Sequence, residues 1–222
     1  MFLKNLKLLC NATFLTATLS IASASSAAPV ELVVNGGFEA GNTGFSTDFT
    51  NANGATPGLA SVSVMTTTYF GLAPSSGSAF LAVNGGNVAG ALPTVWEQDI
   101  TVVGGVEYFL SFLLGGTSLQ PTPVGQLSVQ FGGTEILNAL APASANFLSF
   151  GATFTAAASG TFALAFVEQS VGFGGNDYGL DDISLTFDNS GPVAPVPLPA
   201  GALLLLSALG AGTVLRRRRK VS

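Results

Sequence analysis

Carboxylates are the only side chains in the body of this 222-residue chain equipped for demanding chemistry. All twelve Asp and Glu residues lie between Ala28 and Leu215, and that interval contains no Lys, Arg, His or Cys. A Ser-His-Asp triad, a cysteine nucleophile and an ordinary zinc site are therefore excluded. The same absence removes a Schiff-base lysine, a phosphate clamp and the cationic footprint that nucleic acid requires. With a formal charge of about −12, the segment is repelled by DNA and by anionic membrane surfaces. Calcium ligation remains, as does a pair of acids for glycoside hydrolysis. Glu97 with Glu107 and Glu168 with Asp177 are the pairs available for hydrolysis, and neither forms a recognisable acid-pair motif. The chain is read as non-enzymatic.

Flat aromatic faces with a few polar groups are the other chemistry to look for, because sugars stack on them. Trp96, the single tryptophan, reads either as a core anchor or as a sugar platform. Tyr69 and Tyr178 are the companion candidates for a ligand surface, with Phe70 and Phe173 in similar Gly-rich stretches. Asn87 and Asn176 are available to donate to hydroxyls.

The elements that must position these residues read as strands. Val62 and Val64 alternate with serines, and Ala79, Leu81 and Val83 run into the turn Asn84-Gly85-Gly86. Trp96, Gln98, Ile100 and Val102 lead to Gly104-Gly105. Tyr108, Leu110, Phe112 and Leu114 form the cleanest period-two run. Leu127, Val129 and Phe131 stop at Gly132-Gly133; Phe162, Leu164 and Phe166 follow Ser159-Gly160; Ile183, Leu185 and Phe187 close the domain. No window shows helical periodicity, so many short strands with Gly turns predict an all-β sandwich or barrel. Roughly 170 residues suffice to bury a core without a disulfide.

Both chain ends carry address information. Residues 1–27 have Lys4 and Lys7, an apolar stretch from Leu8 to Ile21 and then small residues, the layout of a secretory signal peptide. Cleavage fits after Ala24 or after Ala27. Cys10 lies inside the apolar core behind Lys7, Leu8 and Leu9, which is not the small-residue setting of a lipoprotein cysteine. The domain spans 28–188, and a Pro- and Gly-containing linker occupies 189–195. Residues 196–220 then hold Val196-Pro197-Leu198-Pro199-Ala200, an apolar run from Gly201 to Leu215, and Arg216, Arg217, Arg218, Arg219 and Lys220. As a helix, Ala200 to Leu215 covers roughly 24 Å at 1.5 Å per residue. A bilayer core of about 30 Å is within reach if the arginines snorkel, so a transmembrane helix is expected over 201–215.

This three-part tail resembles the PEP-CTERM sorting signal of Gram-negative bacteria in its VPLPA form. Leu198 stands where the usual motif has Glu. The resemblance implies recognition by an exosortase, a membrane-embedded cysteine transpeptidase that cuts near the motif. It also implies a transient inner-membrane anchor, with the Arg cluster on the cytoplasmic side and a final location at the cell surface or in the extracellular matrix.

Two further motifs carry a second resemblance. Leu32-Val33-Val34-Asn35-Gly36-Gly37-Phe38-Glu39 stands near the start and Gly179-Leu180-Asp181-Asp182-Ile183-Ser184-Leu185 near the end. With Gly77 to Leu81 and Gly104 to Phe112 they resemble galactose-binding-like jelly rolls, which include carbohydrate-binding modules of secreted glycanases. What the resemblance implies is a jelly-roll β-sandwich with a structural Ca²⁺ on the Gly37 carbonyl, the Glu39 side chain, and Asp181 or Asp182. Period two puts Asp181 on the face of Ile183, Leu185 and Phe187. A carboxylate directed inward is costly unless paired or metal-bound, and no cation is at hand. Asp181 therefore either sits at the rim of the core on Ca²⁺ or lies outside the regular strand. Backbone carbonyls, such as those near Ser76 to Ser78, and water would complete the six to eight oxygens calcium prefers. Three readings follow: a jelly-roll protein binding polysaccharide, an adhesive or structural matrix protein with no small ligand, and a glycoside hydrolase.

Overall fold

A computed structural model describes residues 28–86, 92–118, 125–170 and 176–189. The expected leader, linker residues 190–195, the sorting motif and the apolar run, and also Asn87 and Phe173, lie outside the described residues. Among the described residues there is no helix, and hence none long and apolar enough to cross a membrane.

Among the described residues, eleven strands form two sheets. In chain order they are β1 (Val30–Glu31), β2 (Thr50–Asn51), β3 (Ser61–Met65), β4 (Phe80–Asn84), β5 (Thr94–Val102), β6 (Glu107–Gly116), β7 (Gln126–Phe131), β8 (Thr134–Leu140), β9 (Phe147–Thr155), β10 (Gly160–Glu168) and β11 (Asp177–Phe187). One sheet runs β2-β3-β4-β11-β6-β9, with β1 paired to β11; the other runs β5-β10-β7-β8. The expected all-β architecture is present, and its two packed sheets are consistent with a jelly roll.

Alternation explains the packing. Leu110, Phe112 and Leu114 of β6 and Leu164 and Phe166 of β10 point into one shared core. Phe112 meets Phe166 edge-on across the sandwich, ring centroids 4.8 Å apart. Trp96 closes the same core, edge-on to Phe166 at 5.5 Å and stacked on Phe45 at 6.4 Å. A second, smaller cluster forms on the other face of the larger sheet from Met65, Tyr69, Leu72, Phe80 and Ala82, with Phe147 packed against it. Gly115 and Gly179 make room there, since a Cβ on either would stand within 3 Å of a Leu72 methyl carbon.

Sequence alternation located the seven runs now seen as β3 to β7, β10 and β11, but not β8 or β9. Both are margin strands with one open side. In β9, Gly151 and Ala152 interrupt the large apolar residues, so its pattern is faint.

Trp96 is fully buried and its indole N–H has no hydrogen-bond partner among the described residues. Its contribution is therefore apolar volume. Trp96→Ala should lower the unfolding free energy by about 3–5 kcal/mol. Trp96→Phe should recover most of that loss, because it also removes an unsatisfied donor. Urea denaturation followed by far-UV circular dichroism checks both.

Candidate functional site

The two end motifs do converge: Gly37 lies against Asp182, whose Oδ1 would stand 3.4 Å from a Cβ there, and Asn35, Gly36, Phe38 and Glu39 each have a separate task. Asn35 takes a left-handed φ of 58° and ties the turn to itself. Its amide donates to the carbonyls of Gly41 (2.9 Å) and Thr43 (2.8 Å), while its oxygen accepts from Ala40 N–H (2.9 Å). Gly36 accepts a hydrogen bond from Ile183 N–H at 3.0 Å. A Cβ at Gly36 would fall 1.8 Å from the Ile183 carbonyl oxygen, so only glycine permits this approach. Phe38, fully buried, drives into the core and meets Phe45 at 5.7 Å. Glu39 is thereby directed to the turn before β4, where its Oε1 accepts from Ser78 N–H (2.7 Å) and Ala79 N–H (2.9 Å). Gly77 clears the path, since a side chain there would meet that oxygen at 2.3 Å.

The same turn receives both aspartates. Asp181 Oδ2 accepts from Ser75 N–H (3.0 Å) and Ser76 N–H (3.4 Å), and its Oδ1 accepts from Asp182 N–H (2.9 Å). Ser76 Oγ donates to Asp182 Oδ1 at 2.7 Å. The expectation that Asp181 shares a face with Ile183 is corrected. The β11–β6 register slips between Asp181 and Ser184, and Asp182 adopts a positive φ of 49°. This β-bulge reverses the alternation. Leu180 and Ile183 both reach the main core, while Asp181 turns to the opposite face, beneath residues 75–79. Asp181 is nonetheless fully buried, and burial pushes its carboxyl up to about 6.

Charge balance at this site suits a cation, because buried Asp181 accepts hydrogen bonds from backbone amides and has the Asp182 carboxylate beside it. The donor set matches less well. Among the described residues no three His, Cys, Asp or Glu side chains gather to hold a metal ion, so carbonyl oxygens would have to supply most ligands.

Aromatic platforms fare differently. Trp96, Tyr69 and Tyr178 are all buried, at 0%, 1% and 0% exposure, and offer no face to a sugar. Both tyrosines instead donate to buried acids: Tyr69 to Asp177 Oδ1 and Tyr178 to Glu168 Oε2, each at 2.5 Å. These are the acids of the candidate hydrolytic pair Glu168 and Asp177; both are buried and hydrogen-bonded to tyrosines. Glu97 and Glu107 lie in different sheets.

Sequence reading missed the outer face of the four-stranded sheet. Register aligns Ala163 with Asp99, and Ala165 with Glu97 on one side and Gln130 on the other. Leu164 and Phe166 point to the core, so Ala163, half-buried, and Ala165, buried at 7% exposure, are the small residues of the outer face and by their size form a shallow trough between longer side chains. Glu97, Asp99 and Thr101 border it along β5. Gln126, Ser128 and Gln130 border it along β7, backed by Glu135 and Asn138 of β8. Ser128 bonds Glu135, and Gln126 donates to Asn138 Oδ1 at 2.8 Å. Alternating small and polar residues on adjacent strands are the only signal that could have marked this face, and strand pairing has to be known first.

No protein-family model and no curated protein matches the chain. Several solved structures are similar to it in fold. The CBM22-1 xylan-binding domain from Paenibacillus barcinonensis Xyn10C is 12% identical with a TM-score of 0.48, covering 76% of this chain and 100% of that one. A family 16 carbohydrate-binding module is 17% identical at a TM-score of 0.46, covering 69% and 98%. TmCBM61, solved with β-1,4-galactotriose, is 17% identical at 0.47, covering 71% and 99%.

The buried acids fix a pH dependence. Burial raises Glu168 above its ordinary 4.5 and Asp177 above its ordinary 3.8. The folded state then holds these protons more tightly than the unfolded chain, so stability falls as pH rises from those ordinary values through the raised ones. Thermal melts should show the highest Tm near the ordinary carboxylate range and a decline toward neutrality. Glu168→Gln should flatten that decline.

Proposed function

We propose that the chain is an exported, non-enzymatic jelly-roll protein that binds a neutral, hydroxyl-rich polysaccharide on the outer face of its four-stranded sheet. The observation that carries this reading is the alanine-floored trough of Ala163 and Ala165, bordered by carboxylates, amides and a hydroxyl. Such a border offers acceptors and donors to sugar hydroxyls, and the charge of the domain disfavours polyanions. The buried state of Glu168 and Asp177 supports the non-enzymatic part. A structural Ca²⁺ on the Gly37 carbonyl, the Glu39 side chain and one of Asp181 and Asp182, completed by backbone carbonyls and water, belongs to the same proposal. So does delivery by an exosortase-type enzyme through Val196 to Ala200, with the inner membrane as a transient anchor.

One observation favours a second reading, an adhesive matrix protein without a small ligand. Gln126, Ser128, Glu135 and Asn138 already bond one another, and no aromatic ring lies on this face among the described residues.

Titration calorimetry against neutral polysaccharides distinguishes the two. Saturable binding weakened about tenfold (~1.4 kcal/mol) by Ala163→Arg supports the glycan site. Absence of binding to every polysaccharide tested favours the matrix role, and hydrolysis of any of them overturns both. Removing calcium with EDTA should lower Tm in the wild type and leave Asp181→Asn unaffected; an unchanged wild-type melt would remove the metal.

A further inference from the structure

We propose that β9 is a homotypic interface, through which two copies of this chain join their larger sheets edge to edge. β9 is the last strand of its sheet and, among the described residues, pairs with β6 alone. Its nine residues, Phe-Leu-Ser-Phe-Gly-Ala-Thr-Phe-Thr, follow β6 without a register slip. Natural edge strands are usually blunted by Lys, Pro, inward charges, bulges or a covering segment. Among the described residues β9 has none of these devices, whereas the other margins do. β5 carries Glu97 and Asp99 and is bridged by Ser46, β8 carries Glu135 and a bulge, and β2 is only two residues long.

Charge selects the occupant. Each copy of the domain carries a formal charge of about −12, so self-association is opposed by like charges over most of its surface. No charged residue lies between Glu135 and Glu168, and Glu107 of β6 stands opposite only the last residue of β9, Thr155, which makes the β9 margin the place where two copies meet with the least of that penalty. A second copy is thus the partner whose chemistry this strand matches.

Geometry supplies a register. Gly151 is the midpoint of β9, so an antiparallel pair centred on it pairs the full strand length of both copies. Residues opposite one another then lie on the same face, Ser149 against Thr153 and Leu148 against Phe154. On the core side, Leu148 stands opposite buried Leu114 in the register yet remains 46% exposed, because no strand lies beyond it. Phe154 borders an apolar cleft of about 410 Å³ shared with Phe131, Thr134, Ile136 and Phe162. The register seats the partner copy's Leu148 beside that cleft. On the outer side Phe109, 51% exposed, leans over Gly151, where a Cβ would stand 3.7 Å from its ring. Gly151 therefore leaves the dyad free of side chains while two exposed phenylalanines flank it.

Sedimentation velocity of the full chain in a mild detergent tests this pairing through exposed positions Ser149 and Thr153. The wild type should sediment as a dimer. Ser149→Asp with Thr153→Asp places carboxylates opposite one another across the dyad and should give a monomer that still melts cooperatively, with a Tm that no longer depends on protein concentration. Ser149→Lys with Thr153→Asp places unlike charges at the same two contacts and should restore the dimer. A monomeric wild type, a dimer that survives the paired aspartates, or a charge swap that fails to restore it would each overturn the proposal. So would cross-linking of β9 to a different polypeptide or to the chain's own C-terminal segment in place of a second copy.

Discussion

Every acid in this domain must be accommodated without a cationic side chain, and much of the structure follows from that constraint. An ion pair is the usual way to bury a carboxylate, and it is unavailable between Ala28 and Leu215. Three acids are nevertheless sealed inside: Glu168, Asp177 and Asp181. Each is met by neutral donors. Tyr178 hydroxyl and Ser170 N–H serve Glu168, Tyr69 hydroxyl serves Asp177, and the amides of residues 75, 76 and 182 serve Asp181. Hydrogen bonds of this kind compensate desolvation only in part, so burial still raises all three carboxyls. Tyr69 and Tyr178 are raised as well, chiefly by burial, and so remain neutral donors. Their role as donors explains why they lie inside the protein rather than on a sugar-binding surface.

Legibility in the sequence followed burial and local geometry. Strands with one face in the core announced themselves by alternation, as Tyr108 to Leu114 does, and the Gly pairs that end them were readable as turns. The partnership between the two end motifs was also legible as a resemblance, and Glu39, Asp181 and Asp182 do meet at one turn. What escaped was non-local. The bulge at Asp182 depends on how β11 sits against β6, and period-two counting across it put Asp181 on the wrong face. Trp96 was ambiguous because its neighbours Gln98 and Ile100 differ in polarity. Gln98 turns out to bind the backbone of Val34 at the sheet margin, a contact between residues far apart in the chain. β8 and β9 carried weak patterns for the reason that they are margins, half of whose environment is solvent.

Energetics link the outer trough to the β9 margin. Because the polar groups around Ala163 and Ala165 already bond one another, a sugar hydroxyl there exchanges one hydrogen bond for another, and each exchange is worth only about 0.5–1.5 kcal/mol. Among the described residues no aromatic surface adds stacking energy on that face. A single trough is accordingly a weak binder of any one glycan segment. Polysaccharides repeat, however, and a second trough held at fixed geometry turns the next contact into an intramolecular one. Pairing through β9 would supply that second trough at the cost of no residue in the first, because β9 belongs to the larger sheet and the trough to the smaller one. The neutrality of the stretch from Ile136 to Val167 then has two consequences from one cause. It leaves β10 free to carry the alanine floor without like-charge crowding, and it lets strongly acidic domains approach one another along β9.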